Sequence, residues 1–572
     1  MKKSLVLLAA FALTYPALWW GGRHFGEWAV FTPMGWALAA LALLAFAPDR
    51  LRAFCDLSRD AVRQVVYCMI PAAIILLMHY YFSRGNTDLL CRGLYWFVLP
   101  LYGAVFAREL RRPLLWTAAA LAGADLFAFA VQFFRDLPPY GVTGNWNWSA
   151  SLLSAGCFAA AGLVKRRGMR IAFLAAGLLS PAVFLLDRDW RPAFPFGTLA
   201  AACGAALFFA LGKWKFRVAG AMVLGIAFFA GYVWAVQHSA DLSRETLGEG
   251  AVRMTAAHPV CGVGPGRFES EIPAFLPERY FTGAFRAERH PHPHNQLLKF
   301  AGEFGLAGLA LFAAYCLILY RAWRPAAQDK VPERAALWLL AVLLTLHGMA
   351  DVLLDEWPLS MLWLLTLGVL WGGEVPERTV EVPETEKSDV RWPLRAVQIL
   401  FAVLLAVQLA RDGMSGYHAR RAQLGGGPAD WEASLAWKAT PKNLYALAAH
   451  HLFDRKDPAA ALRFLARIEP ETLFRNYLHN QGLTAQALAV SGRFAEALPY
   501  FEAEQRNFPF RAANLYFHAM TLRRLGRIPE ADAKLAVLKK VLETHTQPVG
   551  ELPAPLRDPA FVSRLPDSGG MP

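Results

Sequence analysis

Long apolar runs dominate the chain and stop at short polar or charged breaks. Thirteen of them approach the length that a bilayer asks of a helix, about 17–25 residues. They fall at approximately 4–20, 29–47, 64–82, 94–107, 114–134, 149–164, 171–186, 194–212, 218–236, 297–320, 335–350, 357–373 and 394–410. Several are short for a straight span, notably 94–107. Met1-Lys2-Lys3 ahead of the first run resembles the start of a signal peptide. The next runs follow at once and no small-x-small cleavage site precedes a soluble region, so the first run is read as a helix. The pattern predicts an all-α polytopic membrane bundle of about 12–13 transmembrane helices.

The polar stretches divide the chain into three parts: a membrane core, 1–373, with a large loop at 237–296; a charged linker with a last span, 374–411; and a soluble tail, 412–572. Within the tail, Gly492-Arg-Phe-Ala-Glu496-Ala497 recurs as Gly526-Arg-Ile-Pro-Glu530-Ala531, an offset of 34 residues, and Asp457-Pro-Ala-Ala-Ala461-Leu462 sits near the same phase. A 34-residue period of paired amphipathic helices resembles the tetratricopeptide signature. One helix pair cannot bury its apolar face alone, so about three units are expected to stack between 430 and 545 as an α-solenoid. A generic helical-hairpin domain is the other reading. Either one is a docking module for protein partners, and the tail shows no catalytic constellation.

Composition agrees with the runs. The chain is 56% hydrophobic and 18% charged, against about 45–50% and 25% in soluble domains. The net charge of +13 changes the picture through its distribution. Basic residues gather in alternate loops: Lys2 and Lys3; Arg50, Arg52 and Arg59; Arg108, Arg111 and Arg112; Lys165, Arg166, Arg167 and Arg170; Lys213, Lys215 and Arg217; Arg321, Arg324, Lys330 and Arg334. Such alternation is the positive-inside pattern. It puts the N-terminus in the cytoplasm, the loops near 136–148, 187–193 and 237–296 outside, and, with thirteen spans, the tail outside as well. The charge is therefore a matter of topology, and no nucleic-acid partner is inferred. The seven cysteines are scattered without a Cys-x-x-Cys pair.

The densest chemistry lies between His258 and Gly308. Gly262, Gly264 and Gly266 look superficially like a nucleotide loop, but no strand precedes them and no Gly-Lys-Ser/Thr follows. With Pro265 they suit a tight turn capping a helix that ends near His258. His290, His292 and His294 alternate, and Pro291 and Pro293 hold the segment extended, which puts the three imidazoles on one side. A metal site, an inert solvated cluster and a proton-transfer role for His294 are the three readings. No carboxylate or thiolate set stands nearby to complete a metal site. An imidazole titrates near neutrality and can accept the proton of an attacking hydroxyl, which favours the third. Arg188, Arg191 and Arg244 lie on the outer side, against the positive-inside trend. A guanidinium pairs with phosphate through two parallel hydrogen bonds, so two or three of them can hold a diphosphate. Anchoring to lipid headgroups is the alternative.

These residues resemble those of a known superfamily. His294-Asn295, nine residues, Gly305, two residues and Gly308 are similar to the His-Asn/Ser/Gln-x9-Gly-x-x-Gly/Thr/Tyr pattern of bacterial O-antigen ligases. Arg244 stands fifteen residues before Pro259 of the His-Pro-x-x-Gly-Val-Gly-Pro-Gly turn, as an arginine of that superfamily typically does. Gly144-Asn145-Trp-Asn147-Trp-Ser-Ala150 resembles its Gly-Asn-x-Asn-x-x-Ala segment. Asp187-Arg-Asp-Trp-Arg191 lies where the family has Ser-Arg-Gly; serine and glycine are both missing, and Arg191 is the favoured counterpart over Arg188. The resemblance spans about 130–370 and does not separate O-antigen ligase, O-antigen polymerase and protein O-oligosaccharyltransferase.

The resemblance implies a GT-C-like, multi-pass bacterial inner-membrane transferase with its active site facing the periplasm. Its donor would be a glycan on undecaprenyl diphosphate, held by Arg244 and Arg191, which would also steady the charge that develops on the leaving group. His294 would be general base for the acceptor hydroxyl, without metal or cofactor. Lipid A core is the leading acceptor, with a glycan (polymerase) or a protein next, and the repeat tail would recruit protein partners. A non-enzymatic scaffold or transporter is the reading from another class. It predicts paired ionisable residues inside the spans, where Asp125 and His347 are the few candidates.

Overall fold

A computed structural model describes residues 59–82, 87–135, 141, 146–183, 243–282, 292–328, 332–349, 351, 357–373, 407, 410–411, 414–468, 479–544 and 552–566. Among them every regular element is helical. In chain order the helices used below are α1 (Arg59–Phe82), α2 (Thr87–Val105), α3 (Ala107–Phe134), α4 (Trp146–Leu163), α5 (Arg167–Val183), α6 (Ser243–Ala257), α7 (Glu278–Thr282), α8 (Gln296–Phe304), α9 (Leu306–Gln328), α10 (Pro332–Gly348) and α11 (Trp357–Gly372). The tail follows with α12 (Pro428–Trp437), α13 (Pro441–Phe453), α14 (Pro458–Ala466), α15 (Asn480–Val490), α16 (Phe494–Asn507), α17 (Ala512–Arg524) and α18 (Ile528–Thr544).

Eight of the thirteen apolar runs fall on described helices. The runs at 4–20, 29–47, 194–212, 218–236 and 394–410 lie outside the described residues, apart from two isolated positions in the last. One run is corrected: 297–320 is not a single span. Gly305 ends α8, and α9 starts afresh at Leu306. Among the described residues, two helices carry apolar windows long enough to cross a membrane unaided, Ala107–Gln132 and Leu306–Trp323, with shorter apolar stretches in α1, α2, α4 and α11. The described residues are all-helical and consistent with a helical membrane protein, in which a helix is the natural unit because it satisfies its own backbone in lipid.

The chain divides into two compact units, the first containing Met1–Asp241, His258–Pro265 and His292–Gly413. In this unit α4 packs against α3, α5 and α10, while α11 packs against α2, α3 and α9, and α9 lies along α1. Small residues permit the closest approach. A Cβ at Gly368 would collide with the Pro100 carbonyl, and one at Gly372 with that of Ala104, so α11 meets α2 backbone to backbone through a small-xxx-small pair. The interior is aromatic: Tyr315 and Trp363 are buried edge to face with centroids 5.0 Å apart. Their polar ends are satisfied, Tyr315 Oη donating to the Trp96 carbonyl (2.6 Å) and Trp363 Nε1 to Thr345 (2.8 Å), as burial requires. Outward-facing Tyr67, Ile74 and Leu77 on α1 and Trp116, Phe127 and Phe134 on α3 stay exposed, an arrangement that suits lipid rather than water.

The second unit joins Leu242–Ala257, Gly266–Pro291 and Met414–Pro572. Here α6 packs on a 3-10 turn, Ile272–Phe275, that also touches α16. Arg279 of α7 reaches back to α6, donating to Glu245 (3.0 Å) and Glu249 (2.5 Å). In the tail, α13 packs with α14, α15 with α16 and α17 with α18. Two of these hairpins repeat bond for bond. Gly492 and Gly526 take φ of 78° and 74°. The following Arg493 and Arg527 amides return to Leu488 O (2.9 Å) and Leu522 O (3.0 Å). Both arginines then pair with Glu496 and Glu530, and the hydrogen bond holds each carboxyl below its ordinary range. The Gly-Arg-x-x-Glu-Ala repeat therefore encodes one turn, used twice.

Candidate active site

Two segments of the first unit clasp each other. After α6 ends at Ala257, the Gly262 amide closes a turn on the His258 carbonyl (3.0 Å). The chain then lies against the C-terminal turn of α8. Val263 N donates to Gly302 O (2.9 Å), Gly264 N to Glu303 O (2.9 Å), and Leu306 N returns to Pro259 O (2.7 Å). Helix ends leave carbonyls without intrahelical partners, and this strand-like contact supplies them. The glycines are required at two points. Gly262 has φ 61°, and a Cβ there would collide with the Glu303 carbonyl. Gly305 has φ 65° and ψ −145°, a region essentially confined to glycine, and its Cβ would run into Pro259 and Val260. Gly308 faces the Phe300 carbonyl so closely that a Cβ would overlap it. His79, in the last turn of α1, donates Nε2 to the Cys261 carbonyl (2.8 Å) and ties the turn to the bundle. Cys261 itself is a free thiol.

The clasp holds the start of α8, where the site histidine sits. Asn295 is the N-cap: its Oδ1 accepts from the Leu298 amide (3.0 Å), satisfying one of the open donors of the first turn. Its Nδ2 donates to the Met349 carbonyl (2.7 Å) just past α10. Between Pro293 and this cap, His294 takes a left-handed φ of 54°, uncommon for a residue with a Cβ and a form of strain that gathers at functional sites. Its Nδ1 meets Asp351 Oδ1 at 2.9 Å; the imidazole is 21% exposed and the carboxylate 3%. An ionised carboxylate only accepts, so the proton belongs on Nδ1 and Nε2 is left as the basic nitrogen. The His292 ring stands edge to face on His294, centroids 4.7 Å apart. An accessible imidazole backed by a buried carboxylate is a general-base arrangement: the carboxylate fixes the tautomer and stabilises the imidazolium that forms.

Residues 148–313 match the O-antigen ligase family. Over that stretch the chain is similar to the O-antigen ligase family, which supports the superfamily resemblance. The matched stretch carries α4, the glycine clasp, His294, Gly305 and Gly308. No curated protein matches the chain. The match supports a glycosyltransferase-like activity, with glycosyl transfer in lipopolysaccharide- or O-antigen-related processes.

The clasp and the start of α8 bring together His294, Asn295, Gly262, Gly264, Gly305 and Gly308. Arg244 and Gly266 fall in the second unit. There Arg244 sits in the first turn of α6, 8% exposed, on the stripe it shares with Leu247, Ala251 and Met254. Arg188, Arg191, His290 and Asn145 lie outside the described residues, and Asn147 falls in the first turn of α4. Among the described residues no three His, Cys, Asp or Glu side chains gather into a metal-binding group. Sequence reasoning missed Asp351. Its only signal was a carboxylate standing one step beyond the apolar run that ends near 350. Asp125 and His347, the candidates for a transport path, are engaged elsewhere: Asp125 accepts from Ser149 (3.0 Å), and His347 Nδ1 is hydrogen-bonded to Ser151, both on α4.

Proposed function

We propose that the chain transfers a glycan from undecaprenyl diphosphate to an acceptor hydroxyl on the periplasmic side of the bacterial inner membrane, with lipid A core as the acceptor. The acceptor oxygen attacks the anomeric carbon of the donor sugar, and His294 Nε2 takes its proton. The bond from that carbon to the diphosphate oxygen breaks, and undecaprenyl diphosphate leaves with the electron pair. Arg244 and Arg191, with Arg188 beside it in sequence, neutralise the charge that gathers on the leaving group. No divalent metal is required in this reading, because the guanidinium groups do the electrostatic work.

The observation that carries the proposal is the His294–Asp351 pair: a partly exposed imidazole, its Nδ1 engaged by a buried carboxylate at 2.9 Å. Arg244 adds support. It occupies the first turn of a 15-residue helix, where unpaired backbone N–H groups also favour an anion. The working organisation is a membrane core, 1–373, whose loop 237–296 faces the periplasm, a cytoplasmic linker before the last span within 374–411, and a periplasmic tetratricopeptide-like tail, 412–572. That the loop helix α6 and the tail share one compact unit supports their lying on the same side of the membrane.

Polymerisation and protein O-glycosylation use the same site with a different acceptor. The protein-acceptor reading draws on the tail, whose stacked hairpins suit peptide or protein docking. Deleting the gene and examining the surface glycans separates the three. Loss of long glycan from core lipid supports the ligase, while core lipid capped by a single repeat supports the polymerase. Intact lipopolysaccharide with unglycosylated proteins supports the protein transferase.

A further inference from the structure

Two groups of the site come from beyond the end of α10 rather than from α8. Asn295 is held by the Met349 carbonyl and His294 by the Asp351 carboxylate. Both lie in the few residues that follow His347, where the helix terminates at Gly348. Backbone bonds tie these residues to the helix end, Met349 N donating to Leu346 O (3.2 Å) and Asp351 N to His347 O (2.9 Å), so their position follows whatever grips the final turn. Two buried side chains grip it. Thr345 accepts from Trp363 Nε1 of α11 (2.8 Å). His347, 1% exposed, is hydrogen-bonded through Nδ1 to Ser151, fully buried on α4. The carbonyl of the same histidine accepts the Asp351 amide (2.9 Å). One residue therefore anchors sideways into α4 through its ring and downstream to Asp351 through its backbone. Helix α4 is itself fixed at the neighbouring position, where Ser149 donates to the buried Asp125 of α3 (3.0 Å).

We propose that His347 is a positioning residue for the His294–Asp351 pair. Its hydrogen bond to Ser151 locks the end of α10 against α4 and so holds the carboxylate where it meets Nδ1 of His294. The inference rests on the functional reading above, and it assigns work to a histidine that is 1% exposed. A displacement of about 1 Å at a catalytic group costs on the order of a hundredfold in rate, so losing the anchor acts on turnover rather than on donor binding.

The test uses the full-length protein in lipid nanodiscs, with an undecaprenyl-diphosphate-linked oligosaccharide as donor and lipid A core as acceptor. Ser151→Ala and His347→Leu remove the contact. His347→Asn restores a polar group near the place of Nδ1, and His294→Ala is the control. The expected result is a fall in kcat of about 10–100-fold for the first two, a KM for donor within about twofold, and recovery of most of kcat in His347→Asn. Hydrogen exchange of the 344–351 amides reads the positioning without any substrate. It should accelerate in Ser151→Ala and His347→Leu and return in His347→Asn. Unchanged kcat and unchanged exchange in Ser151→Ala and His347→Leu, beside an inactive His294→Ala, overturn the role of His347 alone. Failure of His347→Asn to recover while the protein remains folded overturns it too. Full transfer by His294→Ala overturns the reading of the site itself.

Discussion

Replacing Asp351 with Asn keeps the shape of the side chain and removes its charge, which isolates the carboxylate's part in the site. The carboxylate is 3% exposed and accepts from His294 at 2.9 Å. A hydrogen bond to a charged group is worth about 1.5–3 kcal/mol, equal to about 10–150-fold in rate at 1.36 kcal/mol per tenfold. The amide adds a second effect. If its NH2 faces Nδ1 it donates, the imidazole proton moves to Nε2, and the nitrogen meant to accept the hydroxyl proton is blocked; in a comparable Asp–His arrangement that error costs about 10⁴. The expected fall in kcat for Asp351→Asn is therefore about 10²–10⁴, with little change in KM for the lipid-linked donor. The assay is glycan transfer by purified full-length protein, with insertion and melting checked against wild type. A variant that stays within about threefold of wild-type kcat refutes the assignment of Asp351 as the carboxylate that orients His294.

Other expectations follow from separate parts of the molecule. Gly305→Ala should lower the thermal stability of the purified protein by at least about 2 kcal/mol, since it combines a left-handed backbone with a collision at Pro259. Gly123→Ala, at a helical position with open space around it, should be neutral or slightly stabilising by tryptophan-fluorescence melting. Arg244→Ala should abolish transfer and Arg244→Lys restore only part of it, because an ammonium lacks the planar fork; Arg191→Ala should cost more than Arg188→Ala. In the tail, burial and the nearby Lys534 and Arg527 charges push His518 down to about 4, and its ring stacks on Phe501. The unfolded chain takes a proton near pH 6.5 that the folded tail refuses, so stability is complete above that pH. It falls between about 6.5 and 4, by roughly 1–2 kcal/mol once solvent screening is discounted. Hydrogen exchange of 512–544 at pH 7 and pH 5 reads this directly, and His518→Gln should flatten the difference.

Much of the bundle was legible because a long apolar run favours a buried or lipid-facing helix, and seven runs each coincide with a described helix while the eighth, 297–320, falls on two. The break at Gly305 was not. Phe304, Gly305 and Leu306 read as one continuous apolar stretch, and what divides it is a backbone conformation and a contact with Pro259 far earlier in the chain. His294 and Asn295 stood out through local spacing, and the structure gives the Asn a cap role that spacing could not supply. Asp351 escaped for the opposite reason: its partner lies 57 residues upstream, and a lone carboxylate beyond a span carries no local mark. His347 was visible only as an ionisable residue in an apolar run. Its partner Ser151 is a small hydroxyl that no hydropathy pattern distinguishes. The tail was legible because Gly492 and Gly526 repeat both a sequence and the left-handed turn that the sequence demands.

The role of His294 as the base in glycan transfer is read from the purified full-length protein beside its His294→Ala variant. Both are given an undecaprenyl-diphosphate-linked oligosaccharide and lipid A core in nanodiscs, with a chelator present. The expected result is transfer by the wild type in the chelator and its loss in a variant that is inserted and folded. A His294→Ala protein that transfers glycan at the wild-type rate contradicts it.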